Sequence, residues 1–286
     1  MYQPALALTA PDAKVSRNGH RFAMLKPLAL LLEASRFCLV LWLLFPRLQP
    51  GQKFTAIRRW AANTLQILQV DVEVQGALPE LGAKLVVANH VSWLDILVLQ
   101  SLLPGVFVAK AEVRRWPLIG TMAQRCSTIF VERRSRTSAR GMVDGALEAF
   151  DQGYSVIAFP EGTSTDGAGL AAFHANVFEG AISAQISVLP VTLRYVDMHT
   201  GLPCKAAPFT GEMSLGFSLR KVMARSTIQA CVHIGEAIRV QGQNRKSLSI
   251  QAHRQIWTRL ESLNRTHPEC LKAPQASTSV GHKTGP

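Results

Sequence analysis

The chain has 286 residues, long enough for one large α/β domain with appendages or two small domains, and its 48% hydrophobic content is greasy for a soluble enzyme. Lys and Arg number 31 against 19 Asp and Glu, so the formal net charge of +12 favours anionic partners such as a phospholipid surface or an acidic carrier protein. No zinc-finger spacing, RNA-binding aromatic signature or basic heptad region occurs, so no nucleic acid partner is expected, and cysteines without a Cys-x-x-Cys pair indicate a reducing compartment.

Residues 1–22 are polar and mixed and are read as a disordered N-terminus. Two apolar blocks follow, Pro27–Leu32 and Phe37–Phe45, on either side of Glu33, Ser35 and Arg36. Together they approach the ~20 residues that a bilayer-spanning helix needs. Glu33 and Arg36 are three apart, so on a helix they can pair with each other. Arg21 and Lys26 lie before the run and Arg47, Lys53, Arg58 and Arg59 after it, so the positive-inside rule assigns no orientation. Phe45-Pro46-Arg47 stands where a signal peptide would have small residues for cleavage. Residues 23–50 are therefore read as a membrane-associated helical segment, embedded or interfacial, with a buried core helix as the alternative that the internal charges leave open.

The pattern then becomes α/β over residues 51–268. Helices are predicted at 54–69, Trp93–Leu103, Pro117–Arg125, Ala139–Gln152 and Ser247–Asn264, and strands at Val70–Val74, Lys84–Ala88, Val106–Ala109, Thr128–Glu132, Ser155–Phe159, Val188–Tyr195 and Thr227–Ile234. Strands alternating with helices predict a single domain with a central, mostly parallel or mixed sheet flanked by helices. Pro190 inside Val188–Tyr195 predicts an edge or bulged strand. Residues 269–286, rich in Ser, Thr, Pro and Gly, are read as a disordered tail.

Three stretches carry candidate chemistry. In Val87-Ala88-Asn89-His90-Val91-Ser92-Trp93-Leu94-Asp95, a carboxylate follows a histidine by five positions. Imidazole is suited to proton transfer near neutral pH, and a neighbouring carboxylate fixes its tautomer and stabilises its charged form. On one straight helix, residues five apart point about 140° from each other, so the two meet only if His90 lies in a strand-to-helix turn and Asp95 in the helical turn behind it. Ser92 with Asp95 three later reads as a capping box, which gives that geometry; alternatively, Asp95 only caps and His90 is an ordinary loop histidine. In Phe159-Pro160-Glu161-Gly162-Thr163-Ser164-Thr165-Asp166-Gly167 a strand empties into a hydroxyl-rich turn, where ligands sit in open α/β sheets. Glu161 and Thr163 are placed there to bond a substrate hydroxyl, or else the turn merely faces water. Ser127 through Arg134 is a strand ending in two arginines, which suits an anionic head group or a solvated loop.

His-x4-Asp, Phe-Val-Glu-Arg, Phe-Pro-Glu-Gly-Thr and Val-Leu-Pro-Val, in this order across residues 84–194, resemble the glycerolipid acyltransferase family, which includes bacterial 1-acylglycerol-3-phosphate acyltransferases. The resemblance implies a glycerol-phosphate acyltransferase-like fold and transfer of a fatty acyl group from a thioester, on acyl carrier protein or coenzyme A, to a lysolipid hydroxyl. It implies His90 as general base, Asp95 as its orienting partner, and Arg133, Glu161, Gly162 and Thr163 as acceptor-binding residues, with no cofactor and no metal. It further implies a site of action at the cytoplasmic face of the inner membrane. Ser164 stands where the phosphate-handling members continue with arginine, and Ser127 where a glycine is common. Losing that guanidinium removes a bidentate phosphate partner, so the turn is more similar to that of the lyso-ornithine lipid acyltransferases, with Asp166 either facing the ornithine ammonium or exposed in the turn. The 1-acylglycerol-3-phosphate activity is the alternative. A metal-dependent hydrolase, with His90 and Asp95 as ligands, and a non-catalytic lipid-binding protein are the rival classes; His174, His199 and His233 show no ligand spacing.

Overall fold

A computed structural model describes residues 25–78, 82–132, 136–225 and 227–265, so the expected disordered segments 1–22 and 269–286 lie outside the described residues. The helices are α1 (Lys26–Leu39), α2 (Pro50–Leu68), α3 (Leu94–Leu102), α4 (Ile119–Arg125), α5 (Arg136–Asp151), α6 (Glu179–Ser183), α7 (Leu215–Met223) and α8 (Arg245–Arg265). The strands are β1 (Val70–Gln75), β2 (Leu85–Ala88), β3 (Gly105–Lys110), β4 (Ile129–Val131), β5 (Ser155–Ala158), β6 (Val188–Asp197) and β7 (Ile228–Ile234). Among the described residues the strands form one seven-stranded sheet in the order β1-β7-β6-β2-β5-β3-β4. The run from β6 to β4 is parallel, whereas β7 is antiparallel to β6 and carries β1 parallel to itself. The sheet is thus mixed, as the alternation of elements predicts.

Side chains alternate across each strand, and both faces are apolar. Val86, Ala88 and Ile157 join Leu65 of α2, Leu94 and Val98 of α3 and Val222 of α7 in one core. Leu85, Val87 and Val156 point the other way, onto Phe150 of α5, Ala181 of α6 and Leu248 and Ile256 of α8. Burying one such Val, Leu or Ile contributes about 1.5–3 kcal/mol, so the two layers hold β2 and β5 at the centre of the molecule.

Helix α2 begins earlier than the periodicity indicates. Gln52 Oε1 accepts from the Gln49 backbone N at 2.9 Å, the Gln49 side chain accepts in return, and Pro50 occupies the first turn. Glutamine is a weaker capping signal than Ser, Thr, Asp or Asn, which is why residue 54 looks like the start in sequence.

Helix α1 continues through a π-helical turn, Val40–Leu44, and a 3₁₀ turn, Phe45–Arg47. Phe37, Leu41 and Phe45 are buried with Ile57 of α2, and Phe37 stacks on Trp60 with ring centroids 4.4 Å apart. The opposite stripe, Leu28, Leu31, Leu32, Leu39, Trp42, Leu43 and Leu44, is more than half exposed. The segment Lys26–Arg47 is long and apolar enough to cross a membrane, and only 17% of its apolar window is buried, so it is no core helix. Glu33 and Arg36 pair as their spacing predicts, with Arg36 donating to both carboxylate oxygens at 2.8 and 2.6 Å.

Of the two readings of the proline in β6, the edge is corrected and the bulged pairing is borne out, the register shifting by one residue beside it. β6 is an internal strand, between β2 and β7, and Pro190 lies opposite Val87. Internal pairing survives because the β6–β7 ladder stops at Val191↔Ile234 and resumes only as an isolated bridge at Val188↔Ile238. Val188 N donates towards β7's side, to Ile238 O, so the nitrogen of Pro190 two residues on faces the interruption where no ladder donor is missed.

Candidate active site

Parallel neighbours β2 and β5 end on the same edge of the sheet, so the turns that follow them, Asn89–Trp93 and Phe159–Asp166, emerge side by side. His90 lies in the first turn and Asp95 in the first turn of α3. His90 Nδ1 stands 2.8 Å from Asp95 Oδ2, which also accepts from the backbone N–H groups of Val91 at 2.7 Å and Ser92 at 2.9 Å. Asp95 Oδ1 accepts from the Tyr195 hydroxyl at 2.6 Å. Every partner of this fully buried carboxyl is a donor, so Nδ1 carries the hydrogen and Nε2 is left as the basic nitrogen. The imidazole is 21% exposed while the carboxylate beneath it is 0% exposed, so the ring alone faces an incoming molecule. Phe159 stacks on the imidazole with centroids 4.0 Å apart and planes 13° from parallel, fixing the ring's tilt.

Only half of the predicted capping box forms. Asp95 reaches back to the Ser92 N–H, but the Ser92 hydroxyl is buried without a partner. The carboxylate organises the turn without help from the serine.

Glu161 is 5% exposed, and its oxygens accept from the His90 backbone N at 2.7 Å and the Ala171 backbone N at 2.8 Å. It ties the two turns together. Burial pushes its carboxyl up from the ordinary range, with the Ala171 and His90 N–H groups pulling the other way. Gly162 has φ of +68°, and a Cβ built on it would lie 3.1 Å from Cδ2 of His174, so both conformation and space call for glycine. Thr163 is exposed beside it. The Ser164 hydroxyl donates to the Phe209 carbonyl, whose own N–H donates to Val91 O at 2.9 Å. Asp166 is exposed, and its Oδ1 accepts from Ala168 N at 2.9 Å, a local turn contact. Arg133 lies outside the described residues. Ser127 has φ of +60° and closes the C-terminus of α4, Thr128 N donating to Ala123 O at 3.0 Å. This left-handed position favours glycine for backbone reasons.

The structure thus brings together His90, Asp95, Glu161, Gly162 and Thr163 at one edge of the sheet. Sequence reasoning missed Phe159, Asn89 and Tyr195. Asn89 bonds both backbone groups of Leu193, donating to its O at 2.9 Å and accepting from its N at 2.7 Å. Among the described residues no three His, Cys, Asp or Glu side chains cluster in a way that would hold a metal ion.

The fold and this pairing define an α/β protein with an imidazole–carboxylate pair at the end of a central strand. Comparison with known proteins supplies the family. The Acyltransferase family profile matches residues 69–194. The chain is 34% identical to the lyso-ornithine lipid O-acyltransferase of Pseudomonas aeruginosa over 76% of this chain and 85% of that one. It is 38% identical to the 1-acyl-sn-glycerol-3-phosphate acyltransferase of Neisseria meningitidis over 52% of this chain and 58% of that one. The crystal structure of the 1-acyl-sn-glycerophosphate (LPA) acyltransferase PlsC from Thermotoga maritima superposes with a TM-score of 0.62, at 20% identity, covering 87% of this chain and 95% of that one. The chain belongs to the acyltransferase family and is an O-acyltransferase of lipid biosynthesis.

Proposed function

We propose that this enzyme transfers a fatty acyl group from a thioester, on acyl carrier protein or coenzyme A, to the hydroxyl of lyso-ornithine lipid. The observation that carries the chemistry is the His90–Asp95 contact of 2.8 Å under a ring that is itself partly exposed. His90 Nε2 takes the proton from the lipid hydroxyl as the oxygen attacks the thioester carbonyl carbon. The tetrahedral intermediate then collapses, the C–S bond breaks, and the departing thiolate takes the proton back from the imidazolium. The thioester is already activated, so what the protein must supply is a base and the alignment of two substrates. Glu161 and Gly162 shape the acceptor turn, Thr163 presents a hydroxyl to the acceptor, and Arg133 is assigned to its anionic group.

The acceptor assignment is supported by the Pseudomonas relative, alignable along most of its length, and by Ser164. An arginine there would have to give up the hydroxyl's bond to Phe209 O. The Neisseria relative, more identical over a shorter span, favours lysophosphatidate as a second reading. We further propose that the exposed stripe of α1 lies in the membrane surface, at the cytoplasmic face of the inner membrane where the thioester donors occur. Because Phe37, Leu41 and Phe45 are committed to α2, the other face is what remains for lipid.

The test is purified protein with labelled acyl carrier protein thioester and, in parallel, labelled acyl coenzyme A, each offered lyso-ornithine lipid and lysophosphatidate. Faster acylation of lyso-ornithine lipid is expected. Preference for lysophosphatidate would overturn the acceptor, and hydrolysis of the thioester with no acylated lipid would overturn acyl transfer.

A further inference from the structure

The Val188–Val191 block said nothing about chemistry in sequence, and the mechanism above does not use it. Yet the strand it opens reaches the catalytic turn. The ladder between β2 and β6 ends at Ala88↔Val191. The Asn89 side chain then bonds both backbone groups of Leu193 and so continues that pairing by side chain, locking the catalytic turn in register with β6. Two residues further, on the same face as Leu189, Val191 and Leu193, Tyr195 is 4% exposed and its hydroxyl donates to Asp95 Oδ1 at 2.6 Å. Its own carbonyl accepts from Cys204 N at 2.9 Å, so the backbone that carries the ring is tied there as well. A buried tyrosine hydroxyl needs a partner, and this one has taken a lone pair that the two backbone N–H groups and the imidazole leave free.

We propose that Tyr195 is a positioning residue of the acyl-transfer site, holding Asp95 so that one oxygen stays aimed at His90 and setting how strongly that carboxylate stabilises the imidazolium. The inference rests on the acyl-transfer reading for its kinetics. Burial, and after it the adjoining Asp95 charge, hold the phenol well above its usual range, so it is a donor throughout the working range. A donor on Oδ1 withdraws charge from the carboxylate. Removing it makes the pair with His90 Nδ1–H stronger and raises the pH at which His90 loses its second proton. The other titratable groups facing the trio are Glu161, through the His90 backbone, and Cys204, beside Tyr195.

Two variants test this on the full-length protein: Tyr195→Phe, and 3-fluorotyrosine placed at 195, which keeps ring and hydroxyl but is a stronger donor. Each is followed by turnover against pH and by NMR titration of the His90 ring. Tyr195→Phe is expected to move the His90 midpoint and the acid limb of kcat up by about half a unit or more, and the fluorinated residue to move both down. In Tyr195→Phe, kcat at its plateau is expected to fall roughly tenfold, the scale of one lost hydrogen bond to a charged group, with both KM values within about twofold. In an Asp95→Asn background, Tyr195→Phe should cost little more. A role limited to packing would lower the melting temperature but leave the midpoints in place. Coincident midpoints in the wild type and both variants would overturn the proposal. Should the wild type acylate neither acceptor, the acyl-transfer reading falls, while the NMR midpoints still decide the role of Tyr195.

Discussion

The His90 turn and the N-terminal helix are built on opposite terms. Around residues 89–95 nearly every polar group has a partner: Asp95 accepts four hydrogen bonds, Glu161 two, and Asn89 donates one and accepts another. Helix α1 and the turns that continue it hold to the body of the protein through Phe37, Leu41 and Phe45, through Leu30 against the main core, and through a few polar ties, such as Lys26 Nζ donating to Arg225 O at 3.0 Å and the Arg125 guanidinium donating to Leu41 O at 3.1 Å. Its other face offers leucines and Trp42 to whatever surrounds it. The difference assigns separate tasks. A buried network over-determined by hydrogen bonds holds an imidazole in one geometry, whereas an apolar stripe gains free energy in any lipid environment and specifies none.

Four variants probe that division, the largest effect first. Asp95→Asn places an amide NH₂ or a single carbonyl among four donors, so turnover should fall on the order of 10³-fold or more, as the imidazole loses its orienting charge, and differential scanning should show a lower melting temperature. Turnover within tenfold of wild type would mean that the network serves folding alone.

Glu161→Gln should cost roughly 10–100-fold in turnover, the range for one disturbed hydrogen bond to a charged group, and it carries a pH signature. The folded-state pKa of Glu161 is raised by burial. The contribution of this group to stability is therefore fully present below its unfolded pKa and is lost as pH rises through the raised folded value. Denaturant melts at stepped pH should show that decline from the ordinary carboxylate range upward in the wild type and its absence in the glutamine variant. Equal slopes would refute the assignment.

On the other side of the comparison, replacing Leu31 and Leu32 by glutamate should leave melting temperature and detergent-supported turnover unchanged, because both are more than 60% exposed. Co-sedimentation with anionic vesicles should drop about tenfold or more, since each buried Leu contributes about 1.5–3 kcal/mol of transfer. Undiminished sedimentation would remove α1 from the membrane. The smallest effect belongs to Ser127→Gly. A non-glycine residue at φ +60° is strained, and relieving it should raise stability by roughly 0.5–1 kcal/mol without changing acceptor preference. An altered preference would mean that this position touches substrate.

Much of this was legible in sequence where the signal is local. Short, nearly continuous apolar runs at Leu85–Ala88 and Ser155–Ala158 marked both core strands, and the five-residue spacing of His90 and Asp95, set against a predicted helix start, indicated their meeting. What sequence could not give is long-range. Tyr195 meets Asp95 across 100 residues and Asn89 meets Leu193 across 104, and no periodicity marks either. The one available hint was a tyrosine in line with Leu189, Val191 and Leu193 on one face of β6, whose hydroxyl had to find a partner. The reversed direction of β7 was invisible for the same reason. Pro190 misled only as to an edge, because a proline forbids one hydrogen bond, not a neighbouring strand; the irregular pairing it also predicted is present beside it. Glu161 was read as facing the acceptor; its place in the turn was visible, but the backbone N–H groups that claim both oxygens belong to residues 71 and 10 positions away.

The central claim is that the exposed edge of His90 activates the acceptor hydroxyl. Its most direct test is single-turnover acyl transfer from a labelled thioester by His90→Gln, compared with the wild type at saturating lysolipid. The account predicts a loss of about 10²–10⁴-fold in the rate of the chemical step, with binding of both substrates and the melting temperature retained; acylated lipid forming at near wild-type rate would contradict it.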